Sequence, residues 1–141
     1  MALVALHAGG PVATLTIAPV EGRYDRTFME ALAVEAARVA ADESVRVVVL
    51  RAEGDFGAGW SEAALAEPEG LPVVPPLGAG VEVIAAIRQP VIAAIGGACV
   101  SVGLELALAA DIRIASDDTR FALPDTLAGA VPRAGGTQRL P

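Results

Sequence analysis

The sequence contains no lysine and only one cysteine and one histidine in 141 residues, and each scarcity excludes a class of site. Without lysine there is no Walker-type phosphate loop, no Schiff-base amine and no lysine general base. A single cysteine, Cys99, forms neither an internal disulfide nor a thiolate metal cluster. With His7 as the only histidine, a histidine-rich metal site is excluded too. We therefore expect no metal centre.

Basic charge and long apolar runs are also scarce. Ten arginines stand against seventeen acidic residues, which gives a net charge of −7. A chain this acidic, with no basic run, is a poor candidate for binding nucleic acid or an anionic membrane surface. The longest apolar stretch, residues 91–104, is too short for a membrane span. Because no basic segment precedes an apolar run at the N-terminus, we expect a cytoplasmic protein.

Apolar residues make up 54 % of the chain, enough for a packed core. Alternating residues predict a hairpin over 3–17, and the capping-box spacing of Thr27 and Glu30 predicts a helix that ends near Asp42. Further expected elements are buried strands over 47–50 and 91–95, helices over 61–67, 81–88 and 102–110, a proline-rich irregular segment over 68–76, a strand over 112–115 and a helix starting near 135. Strands alternating with helices predict a single α/β domain with right-handed crossovers.

Two carboxylates are candidates for acid–base chemistry. Glu105 lies in the first turn of an otherwise apolar helix, where a buried carboxylate must be hydrogen-bonded or have a raised pKa. A raised pKa suits a general acid or base, but an exposed glutamate also favours a helix N-terminus. Asp125 follows Pro124 in a loop and alone is typical of a turn or a helix cap. A βα-type return between them could bring both carboxylates to one cleft.

Two turns of small residues each join an extended segment to a helix. Residues 96–103 can aim backbone N–H groups at an anion or a developing oxyanion, and residues 56–60 offer a second such donor or a plain helix entry. Residues 100–103 also resemble part of a Gly-x-Ser-x-Gly nucleophile elbow around Ser101. Cys99 replaces the first glycine, however, and the histidine lies upstream, so a Ser101 nucleophile is disfavoured.

Several of these segments together resemble the enoyl-CoA hydratase/isomerase, or crotonase, family over nearly the whole chain. They are Phe56-Gly57-Ala58-Gly59, Pro90-Val91-Ile92-Ala93-Ala94-Ile95-Gly96-Gly97, Gly103-Leu104-Glu105-Leu106-Ala107-Leu108-Ala109-Ala110-Asp111, Phe121-Ala122-Leu123-Pro124-Asp125 and Ala134-Gly135-Gly136-Thr137-Gln138-Arg139-Leu140-Pro141. The resemblance implies a spiral of ββα units, here with the C-terminal helical part missing after the last of these motifs. It also implies a homotrimer or hexamer for the complete family member.

The resemblance further implies an acyl-CoA thioester substrate that passes through an enolate, with no metal or redox cofactor. The backbone N–H groups of Trp60 and Val102 would hold the thioester oxygen. Glu105 would activate water, and Asp125 would supply the proton to the α-carbon. Substrate-binding positions would be Ala58, Gly59, Gly103, Pro124 and Gly129.

The chain departs from the family pattern at Ser101 and Val102, which stand in a glycine run, and at Asp125, where the family has glutamate. Trp60 and Ser61 replace a small residue and an acid, and Arg133 replaces a glycine. The leading hypothesis is an enoyl-CoA hydratase. One alternative is a double-bond isomerase or another CoA-thioester enzyme, with Asp125 as the main acid–base group. Another is an inactive fold that binds acyl-CoA or a partner subunit.

Overall fold

A computed structural model describes residues 1–67 and 76–141. It opens with the expected hairpin, in which β1 (Val4–Ala8) pairs antiparallel with β2 (Val12–Ile17). Leu15 and Ile17 of β2 are fully buried, whereas the intervening threonines are half-buried. The alternation of apolar residues and threonines along β2 therefore corresponds to the two faces of this part of the sheet.

The first long helix, α1 (Arg26–Ala41), begins earlier than its sequence suggests. The carboxylate of Asp25 accepts the Phe28 N–H at 2.8 Å and is the N-cap. The predicted capping box of Thr27 and Glu30 is wrong, because Thr27 already lies within the helix. The helix ends at Ala41, next to the expected Asp42.

The main sheet has five strands in the order β1, β2, β4, β6, β8. Strands β4 (Val47–Ala52), β6 (Val91–Ile95) and β8 (Ile112–Ala115) run parallel to β2. Since parallel strands share one carboxyl edge, the loops that follow β4, β6 and β8 emerge on the same side of the fold. The predicted α/β class with a parallel sheet is confirmed.

Two pairs of very short parallel strands lie beyond that edge. Strand β3 (Arg23–Tyr24) pairs with β5 (Gly59–Trp60), and β7 (Ala98–Val100) pairs with β9 (Arg120–Ala122). None of these four strands was predicted, because two or three residues are too few to show a period of two. They fix the positions of both small-residue turns.

The remaining helices are α2 (Glu62–Ala66), α3 (Ala79–Ala85), α4 (Val102–Ala109) and α5 (Gly136–Arg139). Helix α3 packs between α1 and α4, and it begins and ends earlier than the predicted 81–88. Most of the predicted irregular segment lies outside the described residues. None of the helices within residues 1–67 and 76–141 has the length and apolarity needed to cross a membrane.

Candidate active site

The two small-residue turns are joined directly by backbone hydrogen bonds. The Phe56 N–H donates to the Gly96 carbonyl at 3.1 Å, and the Gly57 N–H donates to the Ala98 carbonyl at 2.9 Å. In return, the Val100 N–H donates to the Gly57 carbonyl at 2.8 Å. The turns after β4 and β6 therefore lie side by side at the carboxyl edge of the sheet.

Glycine makes this close approach possible. A Cβ added to Gly57 would stand 2.9 Å from the Cα of Gly103, and one added to Gly103 would stand 2.9 Å from the Cα of Gly57. Side-chain carbons do not normally approach backbone atoms this closely. The two positions are therefore restricted to glycine for as long as the turns keep their spacing.

The two predicted backbone donors flank this junction. Val102 is the first residue of α4, and among the described residues its N–H donates to no acceptor. Directly after β5, the Ser61 N–H donates to the Tyr24 carbonyl at 2.8 Å, so the preceding Trp60 N–H points to the other side of the strand. A Cβ added to Gly59 would lie 3.5 Å from the Cβ of Ser101, so the turns adjoin beside both donors. That both N–H groups bind one oxygen stays a prediction.

The Glu105 side chain is fully buried in α4. Its Oε1 accepts two backbone N–H groups, from Ala134 and Gly136, each at 2.8 Å, and its Oε2 has no partner. Burial raises the pKa of Glu105, and the nearby charge of Asp125 raises it further, against the lowering by the backbone N–H groups of Gly136, Ala134 and Arg133. The predicted burial of Glu105 is confirmed, and the exposed alternative is wrong.

Asp125 begins a short 3₁₀ helix that ends at Ala128. Its Oδ1 accepts the Ser101 hydroxyl at 2.6 Å, and its Oδ2 is buried without a partner. Asp125 is buried as well, although at 9 % it is slightly more exposed than Glu105 at 0 %. Both carboxylates therefore have one oxygen committed to a protein donor and one left open.

Ser101 is the residue whose contact the sequence did not reveal. Pairing of β7 with β9 places the Ser101 N–H on the Ala122 carbonyl at 2.8 Å, three residues before Asp125. Its φ of 54° and ψ of −125° lie in a region that non-glycine residues rarely adopt. A serine within an otherwise small-residue turn was the available signal, but its partner is 24 residues away.

A cavity of about 130 Å³ lies beside Asp125 and Ser101, and Glu105 is not among the residues that line it. Its lining includes three of the five predicted substrate-binding residues, Ala58, Gly59 and Pro124, together with Trp60, Ser101 and Asp125. Gly103 does not line it, because that residue packs against Gly57. Gly129 is exposed and ends the 3₁₀ helix. The binding roles of all five stay predictions.

Comparison with known proteins gives one consistent family. A family model described as enoyl-CoA hydratase/isomerase matches residues 23–141. A carnitinyl-CoA dehydratase of Proteus mirabilis is 44 % identical over 104 residues, which are 71 % of this chain and 40 % of that protein. The carnitinyl-CoA dehydratase of Escherichia coli is 41 % identical over the same coverage. The chain thus spans 40 % of the length of these curated relatives.

Solved structures share the fold over nearly the whole chain. DspI of Pseudomonas aeruginosa has a TM-score of 0.87 and 31 % identity, over 100 % of this chain and 60 % of its own. An enoyl-CoA hydratase/isomerase of Pseudoalteromonas atlantica has a TM-score of 0.85 and 31 % identity, over 99 % and 57 % of the two chains. The similarity extends over both turns and both carboxylates.

Proposed function

The chain belongs to the enoyl-CoA hydratase/isomerase family, and from that membership we propose that it catalyses the reversible addition of water to a 2-enoyl-CoA. In the opposite direction the same site would dehydrate a 3-hydroxyacyl-CoA. Relatives named carnitinyl-CoA dehydratase support chemistry of this class. The whole protein's substrate, its trimeric or hexameric state and its cytoplasmic location remain predictions.

The difficult step of this reaction places negative charge on the thioester oxygen. When water oxygen bonds to the β-carbon, the double-bond electrons move toward the α-carbon and the carbonyl, forming an enolate. The N–H groups of Trp60 and Val102 would stabilise that oxygen, since they adjoin across the joined turns and Val102 stands at the N-terminus of α4. Preorganised donors of this kind need no reorientation when the charge develops.

The carboxylate pair supports the two proton transfers. In hydration, Glu105 would accept a proton from the attacking water at Oε2, and Asp125 would give a proton to the α-carbon from Oδ2. In dehydration the roles reverse: Asp125 removes the α-proton, and protonated Glu105 gives its proton to the departing hydroxyl. The raised pKa of Glu105 suits this exchange, because the group can hold a proton closer to neutral pH.

The observation that carries the proposal is the open oxygen on each buried carboxylate. A purely structural carboxylate in a protein interior normally has its oxygens satisfied. Here Oε2 of Glu105 and Oδ2 of Asp125 both lack a protein hydrogen-bond partner, and Asp125 lines the cavity beside Trp60. The proposed steps move protons without oxidation or reduction, so no redox cofactor or metal is part of the proposal; coenzyme A belongs to the substrate.

The direct test measures the absorbance of the conjugated thioester when a CoA ester is incubated with the natural protein. We expect a short 2-enoyl-CoA to lose its absorbance on incubation, and the matching 3-hydroxyacyl-CoA to generate it. Glu105→Gln and Asp125→Asn should each lower turnover by about a hundred- to ten-thousandfold, since each removes a proton-transfer group. Glu43→Gln is the matched control, because Glu43 is exposed ahead of β4, at the opposite edge of the sheet.

Other outcomes would favour the alternatives. Conversion of a 3-enoyl-CoA to the 2-enoyl isomer without hydration would favour an isomerase with Asp125 as its main acid–base group. Acyl-CoA binding without either reaction would favour an inactive binding fold. Parent turnover in both carboxylate variants would show that Glu105 and Asp125 are structural.

A further inference from the structure

We propose that Ser101 is a positioning residue for Asp125: its hydroxyl holds one carboxylate oxygen so that the other faces the substrate's α-carbon. This inference rests on the proposed function, because it assigns a part in the same proton transfer. It concerns a serine that stands where the resembled family has a glycine run.

The backbone at Ser101 is one that a side chain does not adopt without strain. Its φ of 54° is positive, and Glu21 is the other non-glycine residue with a positive φ among the described residues. Glycine would occupy this conformation without steric cost. A serine in a strained conformation at a candidate active-site turn suggests that its side chain makes an interaction that offsets the strain.

The side chain supplies a short hydrogen bond inside the protein. Ser101 and Asp125 are 7 % and 9 % exposed, and their Oγ and Oδ1 atoms are 2.6 Å apart. The paired strands β7 and β9 hold the two residues in register through the Ser101 N–H on the Ala122 carbonyl. The contact is therefore built into the sheet rather than formed by a mobile surface side chain.

This bond determines which aspartate oxygen is available. A free carboxylate has two equivalent oxygens and rotates about its last side-chain bond. With Oδ1 accepting the serine hydroxyl, Oδ2 is left as the open atom, and the cavity beside Asp125 is where substrate would meet it. Because aspartate is one methylene shorter than glutamate, its reach depends more on the carboxylate's orientation.

A nucleophilic role for Ser101 is the competing explanation. Its strand–turn–helix context and strained backbone fit a nucleophile elbow, but activation of the hydroxyl would require a good base. The only histidine, His7, lies in β1 at the far edge of the sheet from β8. Because the hydroxyl donates to a carboxylate rather than to a histidine, positioning is the role that the contacts favour.

Two substitutions separate positioning from structural support. Ser101→Gly and Ser101→Ala both remove the hydroxyl, but only glycine relieves the strained φ. We expect the glycine variant to melt at the higher temperature of the two, while both lose about ten- to a hundredfold in kcat for enoyl-CoA hydration, as a slight misplacement of a reacting group costs. KM should change little, since the lost interaction concerns proton transfer rather than binding.

The control is a second serine–aspartate hydrogen bond that lies away from the candidate active site. Ser44 donates to Asp42 Oδ1 at the same 2.6 Å, but on the exposed surface, so Ser44→Ala should leave kcat unchanged. In an Asp125→Ala background, Ser101→Ala should have no further effect on kcat. A glycine variant with parent kcat would overturn the proposal, as would additive losses in the double variant.

A second readout does not depend on activity. If the natural protein turns over no CoA thioester, the proposed function fails, and the Ser101 contact is judged by the carboxyl ¹³C resonance of Asp125. That resonance should move in both Ser101 variants and stay in Ser44→Ala; an unmoved resonance overturns the contact. Mass spectrometry after incubation with acyl-CoA tests the nucleophile directly, and an acyl group on Ser101 would overturn positioning.

Discussion

Gly57→Ala tests whether the spacing of the two turns is essential to the site. The added methyl carbon would collide with the ring of Tyr24, which is fully buried and donates its hydroxyl to the Phe56 carbonyl. It would also lie 2.9 Å from the Cα of Gly103 in the facing turn. Neither neighbour is the free end of a flexible side chain, so the backbone itself must move.

The size of that movement sets the expected effects. Ordinary van der Waals contact starts at 3.4 Å, so the turns must separate by some 0.5 Å to accept the methyl group. A misplacement of about 1 Å costs on the order of a hundredfold in rate, so half that distance should cost about tenfold. Overpacking beside Tyr24 should also lower the free energy of unfolding by about 1–3 kcal/mol.

The assay compares Gly57→Ala with Gly96→Ala in the natural protein. A Cβ on Gly96 would meet only the Ser116 hydroxyl oxygen, at 3.9 Å, so this substitution adds the same methyl group without a clash. Urea unfolding gives the stability difference, and enoyl-CoA hydration gives kcat. If Gly57→Ala matched Gly96→Ala in both measurements, the close approach of the turns would have no functional importance.

Three further predictions follow from burial and exposure. Burial raises the pKa of Glu105, so the folded protein binds more protons than the unfolded chain above the ordinary glutamate pKa, and its stability falls as pH rises toward the raised value. The urea midpoint of Glu105→Gln should therefore rise relative to that of the parent protein as the pH increases. A difference between the two midpoints that does not change with pH would contradict this. Burial raises the pKa of the Cys99 thiol to about 12, so iodoacetamide at pH 8 should label it only after unfolding; rapid labelling of the folded protein would show that the site opens. Ile112 and Ile114 are 50 % and 60 % exposed on the edge strand β8, so the 141-residue chain should self-associate. Ile114→Lys should reduce this self-association, which gel filtration measures. A monomeric parent chain would refute the prediction.

Much of the fold could be predicted because the pattern of each element is local. The alternation in β2, the β-branched run of β4 and the apolar run of β6 predicted strands at these places. The continuously apolar α4 likewise predicted a buried helix, and its lone carboxylate, Glu105, was the strongest candidate in the sequence. In each case the residues that determine the structure lie within one short segment.

The helix boundaries show where local patterns fail. Thr27 and Glu30 have the spacing of a capping box, but Asp25 two residues earlier supplies the cap. Thr27 and Asp25 are both residue types that favour an N-cap. Asp25 is the cap because its carboxylate reaches a free backbone N–H where the chain leaves β3. The short strands β3, β5, β7 and β9 were missed because two or three residues are too few to show a period of two.

The sequence by itself determined the class of fold, the two small-residue turns and the two carboxylates. Only the tertiary structure decided which atoms of those groups are open: Ala134 and Gly136 take one oxygen of Glu105, and Ser101 takes one oxygen of Asp125. These partners lie 24 to 31 residues away along the chain, so no local sequence pattern predicts them. A hydrogen bond across such a separation depends on where the sheet and its loops place the backbone, and that placement is a property of the folded chain.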